Sequence, residues 1–412
     1  MVRFVHTSDW QLGMTRHFLG VEAQARYTAA RIDAIRSIGA VAARERCDFV
    51  VVAGDVFESN LVAPQTVRRA LEAMAAIELP VYLLPGNHDP LDAVSVYRSR
   101  LFERACPGNV RVLDTPGVVS VGAGVDLVAA PWFSKAPLSD AVALAIAEVG
   151  DPDESRLRVL VGHGALDVLT PDADDPAAIS LAALEDALDR GVIHYAALGD
   201  KHTRLAMGRR RLIHYSGSPE VTSFREELPG DVLVVDVDPH RPAQVTPHHV
   251  GTWRFVTLER ELSGGADLDE LDATLGALDP KDRTVVRTGL QGALTLHEKA
   301  RLDAMLDAYA EVLAGCFDWQ HHHDIAVILA DGELTDLGVG GFVEAAVADL
   351  AGLAHRRDRE ARSRVASPGG AASTPRPADG AAAAGGPEPG PDAATARDAL
   401  SLLLRLAKGP AA

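Results

Sequence analysis

One feature constrains this chain more than any other. Short apolar runs of strand length end, again and again, in a tight turn that carries Asp, Asn or His. The first is "RFVHTSDWQ", and "CDFVVVAGDVFE" and "PVYLLPGNHD" follow within ninety residues. "LRVLVGHG" and "HYAALGDKH" repeat the pattern further on. Runs of four to eight β-branched and aliphatic residues bounded by Gly or Ser read as buried strands. Helical patterns at 28–46 and 65–77 separate the first three, so the first half reads as a layered α/β sheet structure. In such folds ligands gather beyond the carboxyl ends of the strands, so the polar turns are expected to converge on one face.

Beyond residue 212 the pattern becomes β-rich, with "RLIHYSGSP" and "GDVLVVDVD" as strands and a His/Pro-containing connection after them. Domain boundaries are expected at 1–250 for the main α/β domain and 251–355 for a smaller α+β domain. The smaller domain carries helices at 268–278, 296–314 and 341–353. An Arg-rich then Ala/Gly/Pro-rich stretch, 356–393, has linker composition. "TARDALSLLLRLAKG", within 394–409, reads as a leucine-rich helix that either docks on its own domain or binds a partner groove.

Composition narrows the function classes. No run of eighteen apolar residues and no basic-then-apolar N-terminal segment is present, so neither a membrane span nor a secretion signal is expected. Three scattered cysteines, Cys47, Cys106 and Cys316, fit a reducing cytoplasm and lack metal-site spacing. The net charge of −18 opposes broad nucleic-acid binding, which Lys and Arg drive. Any DNA contact is therefore expected to be local or shared with a partner.

A lone Asp after a strand is commonly a turn former, and a lone His a satisfied structural group. Five such turns in order are a different matter. Asp9 and Gln11, Asp55, Asn87–His88–Asp89, His163, and Asp200 with His202 supply hard oxygen and imidazole nitrogen from rigid strand ends, while Glu58, close behind Asp55, reads as a helix-start or supporting group rather than a ligand. That donor mixture suits a pair of divalent ions catalysing phosphate-ester hydrolysis. The adjacent His321, His322 and His323 come without acidic spacing and read as a solvated loop.

The stretches "HTSDW", "VVAGDVFE", "LPGNHD", "GHG", "ALGDKH" and "HYSGSPE" resemble the calcineurin-like metallophosphoesterase superfamily, and within it the SbcD-like DNA-repair exonucleases. The resemblance implies a layered sandwich of two mixed β-sheets flanked by helices, with a small α+β capping domain. It implies that Asp9, Gln11 and His202 bind a first metal, that Asp55 bridges, and that Asn87, His163 and Asp200 bind a second. His88 would be the general acid or charge stabiliser, with Asp89 fixing its tautomer. Arg204, in a basic cluster with Arg209, Arg210 and Arg211, and Tyr215 are expected to line the substrate cleft.

Two positions depart from the family pattern. Gln11 and Asp200 stand where it carries histidines, so each ion exchanges an imidazole for an oxygen donor. That shifts the expected cations toward Mn²⁺, with Mg²⁺ as the alternative, rather than Zn²⁺. By resemblance the partners are DNA and an SMC-like coiled-coil ATPase of the SbcC kind, with a homodimer as a further expectation. Two alternatives stay open: a phosphoesterase for small or nucleotide phosphodiesters, and a scaffold for the ATPase with a weakened site.

Overall fold

The computed structural model describes residues 1–328, except 123, 154, 171, 173, 174, 239 and 240, together with the single positions 349 and 399. Apart from those two single positions, the expected helices at 341–353 and 394–409 and the 356–393 linker lie outside the described residues. The chain divides into two compact units, Met1–Val256 with Asp282–Val285, and Thr257–Lys281 with the remainder from Val286.

The first unit begins with β1 (Val2–Thr7), α1 (Val21–Arg44), β2 (Phe49–Val52), α2 (Pro64–Ala75), β3 (Val81–Leu83), α3 (Arg100–Ala105) and β4 (Val110–Val112). It continues with β5 (Gly117–Gly122), β6 (Val125–Ala129), α4 (Ala141–Val149), β7 (Leu157–His163), α5 (Leu181–Asp189), β8 (Tyr195–Gly199), β9 (Leu205–Met207) and β10 (Ile213–Tyr215). Strands β11 (Asp231–Asp238) and β12 (Arg241–His249) complete it. Two six-stranded mixed sheets result, in the orders β12-β11-β1-β2-β3-β4 and β5-β6-β7-β8-β10-β9.

Periodicity explains the layers. Strands β2, β7 and β8 are buried along their whole length, as parallel strands covered on both faces must be. Phe4, Phe49, Val51, Leu127, Val159, Val161, Tyr195 and Val235 fill the space between the sheets. On the outer face of the first sheet, α1 and α2 bury Ile35, Ile38, Leu71 and Met74 against Val50 and Val52. Leu184 and Leu188 of α5 cover the second sheet with Leu160 and Leu198. The result is a helix–sheet–sheet–helix sandwich.

Some expectations shift. Helix α1 begins at Val21, ahead of the apolar stripe that marked it, because Glu22 to Arg26 are good helix formers with little to bury. The connection expected after "GDVLVVDVD" is instead strand β12, paired antiparallel to β11 from Asp231 opposite His249. It lies at the sheet edge, where Pro247 removes no needed ladder bond.

The second unit carries most of β13 (Arg254–Leu262) and β14 (Thr284–Thr295), with α6 (Gly265–Gly276), α7 (Leu296–Val312), β15 (Gly315–Asp318) and β16 (Asp324–Ile328). Its sheet runs β13-β14-β15, with β16 parallel to β14. Helix α7 starts at a capping box in which Thr295 and Glu298 satisfy each other's backbone amides. Among the described residues no helix is long and apolar enough to cross a membrane.

Within the sandwich one polar residue is conspicuous. His6 of β1 is fully buried and spans the two sheets, with Nε2 3.1 Å from the Leu198 carbonyl and Nδ1 3.2 Å from the Tyr195 hydroxyl. A carbonyl only accepts, so Nε2 carries the proton and Nδ1 accepts from Tyr195. Burial, with His214 nearby, lowers its pKa to about 3. The folded state thus refuses a proton that the unfolded chain takes up near pH 6.5. The stability His6 contributes is complete above pH 6.5 and is lost as pH falls toward 3. Urea unfolding at stepped pH should show wild type losing up to about 1.4 kcal/mol per pH unit more than His6→Asn across that window. Equal slopes would contradict the neutral assignment.

Candidate metal centre

The turns after β1 and β2 are stitched together. Asp9 N donates to the Gly54 carbonyl at 3.0 Å, Gln11 N to Asp55 O at 3.0 Å, and Leu12 N to Val56 O at 2.9 Å. Asp9, Gln11 and Asp55 all take the left-handed conformation, with φ of 54°, 49° and 54°, and Asp200 follows with φ 106°. Such backbones cost about 1–3 kcal/mol each and persist where the surroundings enforce them. Here they turn side chains back over the strand ends.

The second sheet reaches the same place through His163. Its Nδ1 lies 2.8 Å from the Ala53 carbonyl, so Nδ1 donates and a neutral ring keeps its lone pair on Nε2. That Nε2 stands 3.4 Å from Asp55 Oδ1. Asp9, Asp55 and His163 each present a ligand atom, all within 4.8 Å of one another, and all three residues are buried. His88 and His202 follow the same rule. His88 Nδ1 donates to the Glu58 carbonyl at 2.9 Å, leaving Nε2 3.9 Å from Asp55 Oδ2. His202 Nδ1 is 2.6 Å from the Thr222 hydroxyl, and its Nε2 is 3.9 Å from Asp9 Oδ1. Three imidazoles thus turn Nε2 toward two carboxylates.

Two glycines make this approach possible. A Cβ on Gly54, whose φ is +93°, would sit 2.1 Å from His163 Nδ1, and one on Gly199 would sit 1.9 Å from the Ala53 carbonyl. Gly86 is closed in the same way by Asp55 Oδ1 at 2.3 Å.

The electrostatics are those of a site with surplus acceptors. Burial raises the Asp55 pKa to about 6, with Asp89 and Asp9 adding to the rise and His163 and His88 opposing it. Burial would lower His163, but Asp55, Asp9 and Asp200 outweigh it and hold the ring at about 9. With its oxygen inward, Asn87 sets Oδ1 2.7 Å from His163 Nε2. Reversed, its amide nitrogen donates to that atom at 2.7 Å and to both Asp55 oxygens at 3.3 Å. Gln11 donates Nε2 to Asp55 Oδ2 at 2.8 Å, and its buried Oε1 has no partner. Acceptor lone pairs converging on one point, with an orphaned oxygen beside them, fit a divalent cation.

Several expected residues are placed differently. Asp89 does not touch His88: its carboxylate accepts from Phe57 N at 2.9 Å, Gly86 N at 2.8 Å and Tyr97 OH at 2.6 Å. The expectation that it fixes the His88 tautomer is corrected, since the Glu58 main chain holds that ring and Asp89 braces the turn beneath. Tyr215 is fully buried, donating to Gly164 O at 2.9 Å and accepting from Leu166 N at 3.0 Å. It clamps the His163 turn and offers nothing to a substrate. Arg204 lies 3.2 Å from Asp231 and is charge-paired there. Asp200 donates its amide to Asp9, at 3.2 Å, while its carboxylate sits 3.3 Å from Lys201 Nζ. His322 stacks on Trp319 at 3.5 Å and His323 lies 3.2 Å from Asp318, so the histidine run is a packed turn.

Sequence reasoning missed the groups that hold the ligand candidates. Ser8 donates to Asp9 Oδ2 at 2.6 Å and meets Ser216 at 2.8 Å, while Ser218 donates to the Asp9 carbonyl at 2.7 Å. Buried Arg31 donates to the carbonyls of Trp10 at 2.7 Å and Val221 at 3.1 Å. The serines of "HYSGSPE" carried a signal in their proximity; Arg31, mid-helix, carried none.

The family model for the calcineurin-like phosphoesterase matches residues 2–235. The chain belongs to that family. Its members are divalent-metal-dependent hydrolases, and the two mixed sheets flanked by helices are the family's architecture. The D component of the SbcCD nuclease of Bacillus subtilis (strain 168) is 26% identical over 292 residues, 62% of this chain and 70% of that one. The protein of the same name from Rhodobacter capsulatus is 27% identical over 211 residues, 50% and 47% of the two chains. The "DNA double-strand break repair protein Mre11" of Archaeoglobus fulgidus is 31% identical over 91 residues, 21% of this chain and 19% of that one.

For this calcineurin-like phosphoesterase, Gly54→Ala should cost about 3 kcal/mol, because overpacking and a left-handed backbone act together. Gly20→Ala, whose Cβ meets open space, should be near neutral. Chemical denaturation of both variants checks the expectation, and a silent Gly54→Ala would refute the close approach of the sheets.

Proposed function

We propose that this chain is a two-metal phosphodiesterase acting on DNA, a repair nuclease of the SbcD/Mre11 kind. The observation that carries the reading is the convergence of three imidazole Nε2 atoms on the Asp9 and Asp55 carboxylates. Asp9, Gln11 and His202 would hold one ion, Asn87, His163 and Asp200 the other, and Asp55 both. Bound there, divalent ions would supply an activated water and neutralise the charge of a phosphodiester. The oxygen-rich donor set favours Mn²⁺, with Mg²⁺ next.

The chain's own residues would do the rest. His88, with Nδ1 committed to Glu58, has only Nε2 free to exchange a proton, and its half-exposed ring can reach a leaving oxygen. Asp89 would keep the His88 turn rigid through Phe57, Gly86 and Tyr97. Gln11 would hold Asp55 by its amide nitrogen. The substrate class rests on the SbcCD and Mre11 relatives. A chain of charge −18 would take its DNA affinity from a partner, and an SMC-like ATPase fits a protein resembling one component of a two-component nuclease. Such a complex would act in the cytoplasm, and pairing of two catalytic domains would complete it.

One observation favours a second reading. Asp200 already pairs with Lys201, which would weaken the second ion and leave a scaffold with residual activity. The two readings part in one assay. Purified protein with Mn²⁺ should cleave single- or double-stranded DNA, lose that activity in EDTA, and lose about 10³-fold in Asp55→Ala, the equivalent of about 4 kcal/mol of barrier. Metal analysis should find two ions per chain. Fewer ions and no cleavage of DNA or of a chromogenic diester would leave the scaffold reading in place.

A further inference from the structure

Of the three imidazoles, His163 and His88 are fastened by main-chain carbonyls, which no substitution removes. His202 alone is held by side chains. Its Nδ1 lies 2.6 Å from Thr222 Oγ1 and 3.3 Å from Glu226 Oε1. The Thr222 hydroxyl in turn donates to Glu226 Oε1, and the Thr222 amide donates to Glu226 Oε2 at 2.9 Å. The Glu226 side chain is only 5% exposed.

Proton counting leaves one arrangement. The single hydroxyl proton of Thr222 goes to Glu226 Oε1. Thr222 Oγ1 must then accept from His202, which places the ring proton on Nδ1 and the lone pair on Nε2, facing Asp9. We propose that Thr222 and Glu226 are positioning residues that set the tautomer and orientation of His202, the one of the three imidazoles whose support is built from side chains. Glu226 acts through Thr222 as the outer carboxylate of a metal-ligating histidine acts. Arg31 anchors this support to the Asp9 turn, because it bonds the carbonyls of both Trp10 and Val221. The inference rests on the metal-centre reading above for its consequence, though not for its geometry.

Two readouts separate those layers. Long-range ¹H–¹⁵N spectra of ¹⁵N-histidine-labelled, metal-free protein at pH 9 report the His202 tautomer, assigned with His202→Gln. Calorimetric titration with Mn²⁺ reports the centre. Wild type and Thr222→Ser should show the Nδ1–H form. Thr222→Val should show a mixture and bind Mn²⁺ about 10- to 100-fold more weakly, with Thr222→Ser restoring affinity. Glu226→Gln should fall between them. If Thr222→Val proves unstable, the Glu226→Gln tautomer decides. An unchanged Nδ1–H signal in the folded variants, or a Thr222→Ser no better than Thr222→Val, overturns the relay. A tautomer that responds in a protein that binds no Mn²⁺ upholds the relay and overturns the metal-centre reading.

Discussion

The hydrogen bond from His163 Nδ1 to the Ala53 carbonyl is the contact on which the rest depends. It ties the end of β7 in one sheet to the end of β2 in the other. Where two sheets pack face to face, their inner faces normally stand about 10 Å apart. Only where side chains are deleted can the strand ends close to hydrogen-bonding distance. Gly54 and Gly199 supply that deletion, one on each sheet, and a Cβ at either would strike the His163 ring or the Ala53 carbonyl. The same bond orients the ring. A carbonyl cannot donate, so the proton is drawn to Nδ1 and Nε2 is left to face Asp55. One interaction joins the layers and sets the chemistry of a ligand candidate.

Around it the chain spends backbone strain rather than side-chain bulk. Asp9, Gln11, Asp55 and Asp200 are left-handed, an unusual concentration for residues other than glycine. Ser8, Ser218, Arg31 and the Leu12–Phe57 bridge hold the first two turns in that form. Burial first, and then the neighbouring Asp89 and Asp9 carboxylates, raise the pKa of Asp55, and the Gln11 oxygen beside it has no hydrogen-bond partner. A divalent cation bound there would offset both the burial of the Asp55 charge and its carboxylate neighbours.

The two departures from the family pattern do not behave alike. Gln11 donates its amide nitrogen to Asp55 and leaves its buried oxygen without a hydrogen-bond partner. Asp200 is drawn toward Lys201 and contributes its amide, not its carboxylate, to Asp9. The asymmetry leaves Asp200 the less available of the two as a donor to the centre.

Much of this was legible in residues alone. Strands that end in Asp, Asn or His announced a layered α/β structure and the face on which its polar turns meet, because apolar runs and turn chemistry are local; the two-sheet sandwich was implied by the family resemblance. What was not legible depended on partners distant in sequence. Nothing local distinguishes Asp89 as a brace from Asp89 as a partner of His88; Tyr97, Phe57 and Gly86 decide it. Tyr215 looked like a cleft residue until Gly164 and Leu166 claimed its hydroxyl. Strand β12 looked like a connection until β11 paired with it. The sequence by itself determined which donors exist and that they sit at strand ends. Tertiary structure alone decided where each proton lies and which carboxylates face inward, because a hydrogen bond's direction is set by the atom across the gap, and that atom belongs to another strand.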